Sequence, residues 1–364
     1  MSALRVGVDV RMLGKTGIGV YLAEVLRRLP RHLPGAEFVA FGGRVPGCET
    51  VPVAARVYSL AEQIDLPLAA ASRDLDVFWS PHYNAPLLSP ARLVVTVHDL
   101  IHLRFRGQLP RPRWLSYLYA RTQIRLACAR ARIVLTPSES TRRDLVHMLG
   151  VPTARIRVTP EAVGEDLGPV RSGRRLDAFR RSHGLRAPYV LFVSNLKPHK
   201  NPEGLIRAFA AMRDRRVTLV LAGQGSPGYA AALRELATRL GVGARVRFPG
   251  KIRRDDLRYW YAGAAVFACP SFSEGFGLPP LEAFACGAPV VASNAASLPE
   301  VVGNAALTVA PGDSAGMARA LDAVIAHPAL RRRLVAAGLR RVRRFSWDRT
   351  AALTADALRA AAGR

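Results

Sequence analysis

Two carboxylates flank a glycine-rich turn in the stretch EGFGLPPLE, where seven residues separate Glu274 from Glu282. The proline pair in this stretch suits the first turn of a helix, in which a missing N–H leaves no hydrogen bond unmade. We therefore predict a helix that begins at Pro279, has Glu282 in its first turn, and ends just before Gly287, a left-handed stop.

The glycines of this stretch predict an anion site. Gly275 and Gly277 let main-chain N–H groups come close to a ligand, and the dipole of the following helix favours negative charge there. The two carboxylates would repel such an anion unless they face hydrogen-bond donors, and sugar hydroxyls are donors of that kind. The stretch thus indicates a phosphorylated sugar as ligand, with a turn that carries solvated acids as the alternative.

Size and charge set broad limits. With 364 residues the chain exceeds what one hydrophobic core usually serves, so we expect two domains. Its 53 Lys and Arg residues against 27 Asp and Glu residues give a net charge of +26. That charge predicts an anionic partner, which would be nucleic acid, a membrane surface or a phosphorylated substrate.

Cysteine and apolar usage predict a cytoplasmic protein. The four cysteines lie far apart without a C-x-x-C pair, which indicates neither a zinc site nor a disulfide framework and fits a reducing compartment. No apolar run approaches the roughly 18 residues of a membrane span, and the N-terminus does not have the form of a signal peptide.

Short β-branched runs alternate twice with amphipathic stretches, which is the pattern of a parallel sheet covered by helices. The segment 160–188, rich in glycine, proline and charge, separates the two series. The predicted strands are 5–10, 76–80, 92–97 and 132–136 in the first series, and 189–194, 217–223, 246–250, 264–270 and 288–293 in the second. The pattern predicts an α/β fold of two Rossmann-like halves, in which ligands bind beyond the carboxyl ends of strands.

The loop after the first predicted strand carries two glycines at the start of a helix, Gly17 and Gly19. It is not a dinucleotide fingerprint, because Leu22 stands where the third glycine belongs. Close approach of the backbone to a phosphate and simple tight packing are equal alternatives for this loop.

Histidines and lysines follow two further predicted strands. His98 comes directly after its strand, where the ring could act as an acid, a base or a hydrogen-bond donor, and His102 lies four residues later. Packed or solvated histidines are the alternative. Lys197 and Lys200 lie in the loop after 189–194 and offer positive charge to a phosphate, with a solvated basic loop as the alternative.

The triplet Asp74-Leu75-Asp76 has the D-x-D form that can hold a metal bound to a nucleotide diphosphate. It precedes a strand, whereas ligands gather after strands, so we interpret it as a helix end and a solvated turn. No metal site is predicted.

These segments together resemble the retaining glycosyltransferases of the GT-B fold, family 4, which use nucleotide sugars. The likeness spans nearly the whole chain and is strongest in YVLFVSNLKPHKN, LVLAGQG and the long stretch that contains Glu274 and Glu282. In the first half, GKTGIGVY, TVHDLIHLRF and VLTPSESTRRDL are similar to a branch that includes many bacterial mannosyltransferases.

The resemblance implies two Rossmann-like domains that face each other across a cleft. It places an acceptor domain at 1–168, a linker at 169–187 and a nucleotide-sugar donor domain at 188–345. The closing FSWDRTAALTADAL resembles a terminal helix, at 346–364, that crosses back onto the first domain.

The same resemblance implies a role for each candidate residue. Glu282 would bind ribose hydroxyls, Glu274 the transferred sugar, and Lys200 the diphosphate, without a metal. His98 would hydrogen-bond the sugar and would be catalytic together with Lys200 and Glu274. The backbone would complete the donor site at Gly17, Gly19, Gly275, Phe276, Gly277 and Leu278.

One donor-site position departs from the family pattern. An arginine often stands five residues before the diphosphate lysine, and here that residue is Asn195. Lys197 and His199 are the other side chains of this loop that can carry a compensating positive charge, and the sequence does not choose between them.

The implied activity is the metal-independent, cofactor-free transfer of a hexose with retention of configuration, as in bacterial polysaccharide biosynthesis. Mannose from GDP-mannose is the favoured donor, and a glycan or lipid-linked saccharide is the favoured acceptor. The alternatives are a GT-B-like nucleotide-sugar epimerase, a phosphorylase, and a basic nucleic-acid-binding protein. We find neither the pyridoxal phosphate lysine that a phosphorylase needs nor a nucleic-acid module.

The segment 104–132 predicts contact with a membrane. It mixes eight arginines with Trp114, Tyr117, Tyr119 and several leucines, a composition that suits an interfacial helix on an anionic cytoplasmic leaflet. A core helix with a basic outer face is the equal alternative. The expected location is therefore the cytoplasm or, peripherally, the inner face of the membrane.

Overall fold

The computed structural model describes residues 3–59, 61–108, 112–170, 173–185 and 188–363. The chain divides into two compact units. The first unit joins the chain up to Glu161 with the segment from Ser346 onward, and the second unit is Ala162–Phe345. We predicted a first domain that ends at residue 168, whereas the structure places 162–168 with the second unit. The predicted linker 169–187 also falls in the second unit, and its residues 171, 172, 186 and 187 lie outside the described ranges.

Parallel strands and covering helices build the first unit. Its strands are β1 (Arg5–Asp9), β2 (Glu37–Phe41), β3 (Glu49–Val51), β4 (Val77–Ser80), β5 (Arg92–Thr96), β6 (Ile133–Thr136) and β7 (Ile156–Val158). Its helices in the N-terminal segment are α1 (Thr16–Leu26), α2 (Leu29–His32), α3 (Glu62–Ala71), α4 (Ile101–Arg104), α5 (Arg113–Arg130) and α6 (Glu139–Leu149). Across the described residues the strand order is β3-β2-β1-β4-β5-β6-β7, so the order reverses between β1 and β4.

The second unit repeats this plan. Its strands are β8 (Tyr189–Val193), β9 (Thr218–Ala222), β10 (Val246–Gly250), β11 (Val266–Cys269), β12 (Val290–Ser293) and β13 (Ala306–Val309). Its helices are α7 (Gly173–Ser182), α8 (Pro202–Ala211), α9 (Pro227–Arg239), α10 (Arg254–Gly263), α11 (Leu278–Ala285), α12 (Leu298–Val302), α13 (Ser314–Ala326) and α14 (Pro328–Val342). The described strands pair in the order β10-β9-β8-β11-β12-β13, so this order reverses between β8 and β11.

The last helix, α15 (Trp347–Ala362), belongs to the first unit. Trp347 and Leu358 are buried, and the helix contacts α1, α2 and β5. The Thr350 hydroxyl donates to the Pro160 carbonyl, which fixes the start of the helix. The terminal segment of the chain is therefore part of the first unit's core.

The nine predicted strands are confirmed, with ends that differ by two residues at most.

In the second unit, successive strand residues pack into two separate cores. Tyr189 and Leu191 belong to one core, and Val190 and Phe192 belong to the other. Since neighbouring side chains of a strand point to opposite faces, a sheet covered on both sides needs apolar residues at every position. This explains why β8 reads YVLFV without a polar interruption.

The helix after the glycine-rich turn is α11. Gly277 precedes it at φ +117°, and Gly287 follows it at φ +77°, which confirms the predicted left-handed stop. The helix begins at Leu278, one residue earlier than predicted. The prediction that Glu282 lies in the first turn is therefore wrong, because Glu282 is the fifth helical residue and lies in the second turn.

The two glycines at the start of α1 differ in what surrounds them. A Cβ at Gly19 would lie 2.5 Å from the Met12 carbonyl oxygen, closer than atoms can pack, and 3.1 Å from the Gly14 nitrogen. A Cβ at Gly17 would meet nothing within 4 Å. Local packing therefore requires glycine at position 19 but leaves the glycine at position 17 unexplained.

We expect Gly17→Ala and Gly19→Ala to change stability in opposite directions. At position 19 the new methyl group must displace backbone, which should cost more than about 1 kcal/mol. At position 17 alanine replaces an exposed helical glycine and should stabilise the fold by about 0.4–1 kcal/mol. The midpoint of urea unfolding at unchanged slope measures both effects. A destabilised Gly17→Ala variant would contradict the open surroundings described above.

Candidate functional site

Lys200 and Glu274 meet in the second unit at the point where the strand order reverses. Lys200 lies in the loop after β8 and Glu274 in the loop after β11, and these strands are neighbours. The Lys200 ammonium donates to Glu274 Oε2, and the two side chains are only 16% and 7% exposed. Reversal points are where open α/β sheets bind ligands. The structure thus brings together two residues that the sequence singles out separately.

Three serines hold the Glu274 loop in place. The Ser271 hydroxyl donates to Glu274 Oε1 at 2.7 Å, which fixes the carboxylate from the side opposite Lys200. The Ser297 hydroxyl lies 3.0 Å from the carbonyl oxygen of Glu274 and also contacts the Phe276 carbonyl. Ser293 donates in turn to the carbonyl of Ser271. The position of the Glu274 carboxylate is therefore set by buried hydrogen bonds rather than by solvent.

Asn201 ties the Lys200 loop to its neighbours. Its side-chain oxygen caps α8 by accepting the Gly204 N–H at 3.0 Å, and its backbone adopts φ +56°. Its amide group donates to the carbonyls of Pro270 at 3.2 Å and Pro311 at 2.7 Å. One side chain therefore connects the loop after β8 with the loop after β11. The sequence signal for this cap is the Asn-Pro pair at the start of α8.

Glu282 lies at the same edge with two donors already in place. The Tyr261 hydroxyl donates to Glu282 Oε2 at 2.8 Å, and Arg254 donates to Oε1 at 3.2 Å. Arg254 also donates twice to Asp166, at 2.6 and 2.8 Å. Burial raises the pKa of Glu282, while the Arg254 charge and the Tyr261 hydrogen bond oppose that rise. Sequence reasoning missed Arg254, Tyr261 and Asp166.

A cavity of about 410 Å³ opens at the carboxyl ends of β8, β9 and β10. Gly223 lines it at φ +140°, where a Cβ would lie 1.7 Å from the Ser194 carbonyl oxygen. The Arg234 guanidinium lies over the Phe248 ring, 4.8 Å from its centre. The cavity therefore combines peptide groups, a cation and an aromatic face.

The remaining residues of the Lys200 loop differ in exposure. Asn195 and Lys197 are exposed, whereas His199 is buried and its carbonyl accepts the Phe272 N–H at 2.8 Å. Lys197 is thus the better placed of the two cations that the sequence leaves open, since its charged group reaches solvent.

Asp74 and Asp76 lie in a turn, as predicted. Asp74 adopts φ +45°, and Asp76 accepts the Arg5 N–H at 2.9 Å. Within the described residues no group of three or more His, Cys, Asp or Glu side chains is arranged to hold a metal.

His98 lies in the first unit with both ring nitrogens engaged. Nε2 is 3.0 Å from the Pro81 carbonyl oxygen, and Nδ1 is 3.1 Å from Glu161 Oε1. A carbonyl and a carboxylate can only accept, so both nitrogens donate. Burial alone would lower the pKa of His98, but the hydrogen bond and charge of Glu161 raise it above its ordinary value. A hydrogen bond from His98 to a sugar would therefore require one nitrogen to change its partner.

Known families match both halves of the chain. Residues 10–167 match the family described as Glycosyltransferase Family 4. Residues 175–341 match the family described as Glycosyl transferases group 1.

Three curated relatives are about one-third identical to this chain. O-antigen chain mannosyltransferase B of Escherichia coli is 32% identical over 278 residues, which cover 73% of this chain and 70% of that protein. D-inositol 3-phosphate glycosyltransferase of Kribbella flavida is 31% identical over 392 residues, covering 95% and 91%. Serotype-specific mannosyltransferase WbdA of Escherichia coli is 31% identical over 276 residues, but this chain spans only 33% of its length.

Solved structures share the fold. Anabaena Alr3699/HepE in complex with UDP and glucose superposes with a TM-score of 0.78 at 20% identity, covering 98% of this chain and all of that chain. WaaG, a glycosyltransferase involved in lipopolysaccharide biosynthesis, gives a TM-score of 0.75 at 15% identity, with 97% and 99% covered. These neighbours confirm the predicted α/β architecture of two Rossmann-like domains.

We expect the stability that Glu161 supplies through His98 to fall as pH rises. A histidine whose pKa is raised by folding contributes fully below the ordinary value of 6.5, and this contribution is lost as pH passes the folded value. The advantage of the wild type over Glu161→Gln in free energy of unfolding should therefore be largest near about pH 6 and shrink toward about pH 9. Urea unfolding over this range measures it.

His98→Gln serves as the control background. With the imidazole gone, Glu161→Gln should have an effect that no longer varies over this pH range. If the wild type exceeded Glu161→Gln in free energy of unfolding by an amount that grew with pH, the His98 ring would not be held in its charged form.

Proposed function

This chain belongs to the GT-B glycosyltransferases that join a Glycosyltransferase Family 4 region to a Glycosyl transferases group 1 region, and on that premise we propose that it transfers a hexose from a nucleotide sugar with retention of configuration. The observation that carries the proposal is the buried Lys200–Glu274 pair at the β8/β11 reversal point. At this point a lysine that can bind a diphosphate donates a hydrogen bond to a carboxylate that can bind a sugar.

The nucleoside of the donor would use further groups of the second unit. The cavity at β8, β9 and β10 offers the peptide groups around Gly223 and Gly225 to a base. Glu282 would take the ribose hydroxyls. A carboxylate has about four acceptor positions, and Tyr261 and Arg254 use one each, so ribose can be added without breaking either bond.

The diphosphate would bind by replacing Glu274 as the hydrogen-bond acceptor of Lys200. Lys200 already donates to Glu274, so an arriving phosphate competes with a carboxylate for the ammonium. As Lys200 turns toward the phosphate, Glu274 loses part of its compensation and accepts a hydroxyl of the transferred sugar. Negative charge on the diphosphate grows as the sugar leaves, and Lys200 stabilises that charge without a metal. Lys197, exposed in the same loop, supplies a second cation in place of the arginine that Asn195 replaces.

Glu274 would act on the sugar itself. Glycosyl transfer develops positive charge on the anomeric carbon and its ring oxygen. A carboxylate fixed by Ser271 and shielded from water stabilises such a charge more strongly than a solvated one. The rigid support of this carboxylate is thus suited to a transition state.

Mannose from GDP-mannose is the donor that we favour. It is supported by the two mannosyltransferases among the relatives, one of which matches over most of its length. A glycan or lipid-linked saccharide would be the acceptor. The D-inositol 3-phosphate glycosyltransferases favour a second candidate, a phosphorylated polyol as acceptor.

We expect one nucleotide among GDP, UDP and dTDP to bind tightly with EDTA present. Glu282→Ala should lower its affinity about 10- to 100-fold, because loss of two hydroxyl contacts to a charged acceptor costs about 1.5–3 kcal/mol. Calorimetric titration of each nucleotide and its sugar measures this and identifies the base.

Glu235→Ala is the matched control, since Glu235 is an exposed acid of the same unit that pairs only with Arg239 in the described structure. It should leave nucleotide affinity unchanged. Binding that requires a divalent ion, or that ignores Glu282, would overturn the donor site proposed here. Turnover of the donor sugar without an acceptor product would favour an epimerase.

A membrane-facing role for α5 is the second part of the proposal. The exposed face of the first half of α5 carries Trp114, 67% exposed, with Leu115 and Leu118. Arg113 and Arg121 flank this apolar face. The combination fits an anionic bilayer better than water. Residues 109–111 of the segment 104–132 lie outside the described residues.

None of the described helices has the length and hydropathy that a membrane crossing needs.

We expect the protein to sediment with vesicles that contain phosphatidylglycerol at low salt, and to do so less with neutral vesicles or at high salt. The double variant Trp114→Ala/Leu118→Ala should lose most of this binding. Leu240→Ala, which removes an exposed leucine of the second unit, should retain it. Equal binding of all three proteins would exclude α5 as the contact.

A further inference from the structure

A buried charged network lies in the first unit where the strand order reverses between β1 and β4. Arg11 follows β1 and donates to both Asp9 oxygens, at 2.9 and 2.7 Å. Arg11 Nη2 also lies 3.1 Å from Glu62 Oε2, and the Glu62 side chain is fully buried. One guanidinium thus faces two carboxylates. Burial raises the pKa of Glu62, while the charge of Arg11 and the hydrogen bond from Asn84 oppose that rise and favour the ionised form.

The network extends to the residues after β4. Glu62 Oε1 accepts the side-chain amide of Asn84 at 2.6 Å and the backbone N–H of Tyr58 at 3.2 Å. Asn84 Oδ1 is buried and has no hydrogen-bond partner in the described structure. Tyr58 itself adopts φ +69°, a conformation that a bulky residue keeps only when its surroundings impose it. The buried ions therefore hold a strained tyrosine in place.

The protonation of His82 determines what the Tyr58 hydroxyl can do. The Asn84 N–H donates to His82 Nδ1 at 3.1 Å, so this nitrogen carries a lone pair. Burial lowers the pKa of His82 to about 3, which keeps the ring neutral with its proton on Nε2. Nε2 then donates to the Tyr58 hydroxyl oxygen at 2.6 Å. The Tyr58 hydroxyl accepts that bond and also interacts with the neighbouring Tyr83 hydroxyl, so a ligand that accepts the Tyr58 hydrogen competes only with Tyr83 among these groups.

Aromatic rings surround this hydroxyl. The Tyr58 ring, 50% exposed, lies 5.0 Å from the His82 ring and 6.1 Å from the Tyr83 ring, and Tyr83 lies 6.1 Å from His102. The negative charge of Asp99 is felt by both tyrosines, whose pKa values burial raises first and Asp99 raises further. Apolar ring faces beside directed polar groups suit a saccharide, which has C–H faces and hydroxyl edges.

We propose that Tyr58 is a binding residue for a neutral saccharide acceptor, with Arg11 and Glu62 as its positioning residues. This inference rests on the proposed function and deepens it by choosing between two acceptor classes. Among the residues that these contacts join, the acids Asp9, Glu62 and Asp99 outnumber Arg11. A phosphorylated acceptor would therefore be repelled at this edge, whereas neutral hydroxyls can donate to carboxylates and accept from Tyr58.

The test measures transfer to different acceptors from the nucleotide sugar that calorimetry identifies as the donor. Methyl α-mannoside and mannose disaccharides represent neutral saccharides, and inositol 3-phosphate represents phosphorylated polyols. We expect transfer to a neutral saccharide and little or none to inositol 3-phosphate. Tyr58→Phe should raise the acceptor KM about tenfold, because one hydrogen bond is lost. Calorimetric titration of Tyr58→Phe with the nucleotide checks that the variant is folded.

Two further variants test whether Glu62 positions Tyr58 and whether loss of a tyrosine hydroxyl elsewhere leaves transfer unchanged. Glu62→Gln keeps the shape of the side chain but removes its negative charge, so it should raise the KM for the neutral saccharide and narrow the discrimination against inositol 3-phosphate. Tyr259→Phe, which removes a hydroxyl of the second unit bound only by Arg258 among described residues, should match the wild type.

Three outcomes would overturn the inference. One is a preference of the wild type for inositol 3-phosphate. Another is an unchanged acceptor KM in a folded Tyr58→Phe variant. The third is the absence of both hydrolysis and transfer with every nucleotide sugar, which would overturn the proposed function and this site with it.

Discussion

The opposed charges of Lys200 and Glu274 constrain everything else at the second unit's site. The pair is largely shielded from water, and loss of one partner would leave a charge whose burial costs about 3–5 kcal/mol. Each partner is therefore released only when a ligand offers a replacement. A sugar diphosphate offers both replacements in one molecule, with phosphate for the lysine and hydroxyls for the carboxylate. A free nucleotide offers only the first, so the pair can favour an intact donor over the spent one.

Both units carry ion pairs where the strand order reverses. In the second unit Lys200 pairs with Glu274, while Arg254 lies between two acids, Glu282 and Asp166. In the first unit Arg11 likewise lies between two acids, Asp9 and Glu62. The second unit differs in Lys200, a cation that can exchange its carboxylate partner for an anion.

The sequence predicts those parts of the fold that depend on neighbouring residues. Glu274 and Lys200 could be selected because each follows an apolar run that ends a strand, and such ends meet at one edge of a parallel sheet. Glu161 and Asp166 could not, because their partners lie 63 and 88 residues away. Three of the unpredicted strands, β3, β7 and β13, lie at sheet edges, where short or half-exposed strands have no continuous apolar run. β2 is different, because EFVAF has the pattern and a strand should have been predicted there.

The packing of α15 onto the first unit affects the order in which the two units can fold during synthesis. The second unit is encoded between the two segments of the first, so its chain is complete while Trp347 and Leu358 have yet to be made. Until those residues emerge, the surfaces of α1 and α2 that they cover remain exposed to water. Domains generally fold as units during translation, N-terminal parts first. Here the second unit can reach its native state before the first, and the first spends most of its synthesis as a core without its last helix.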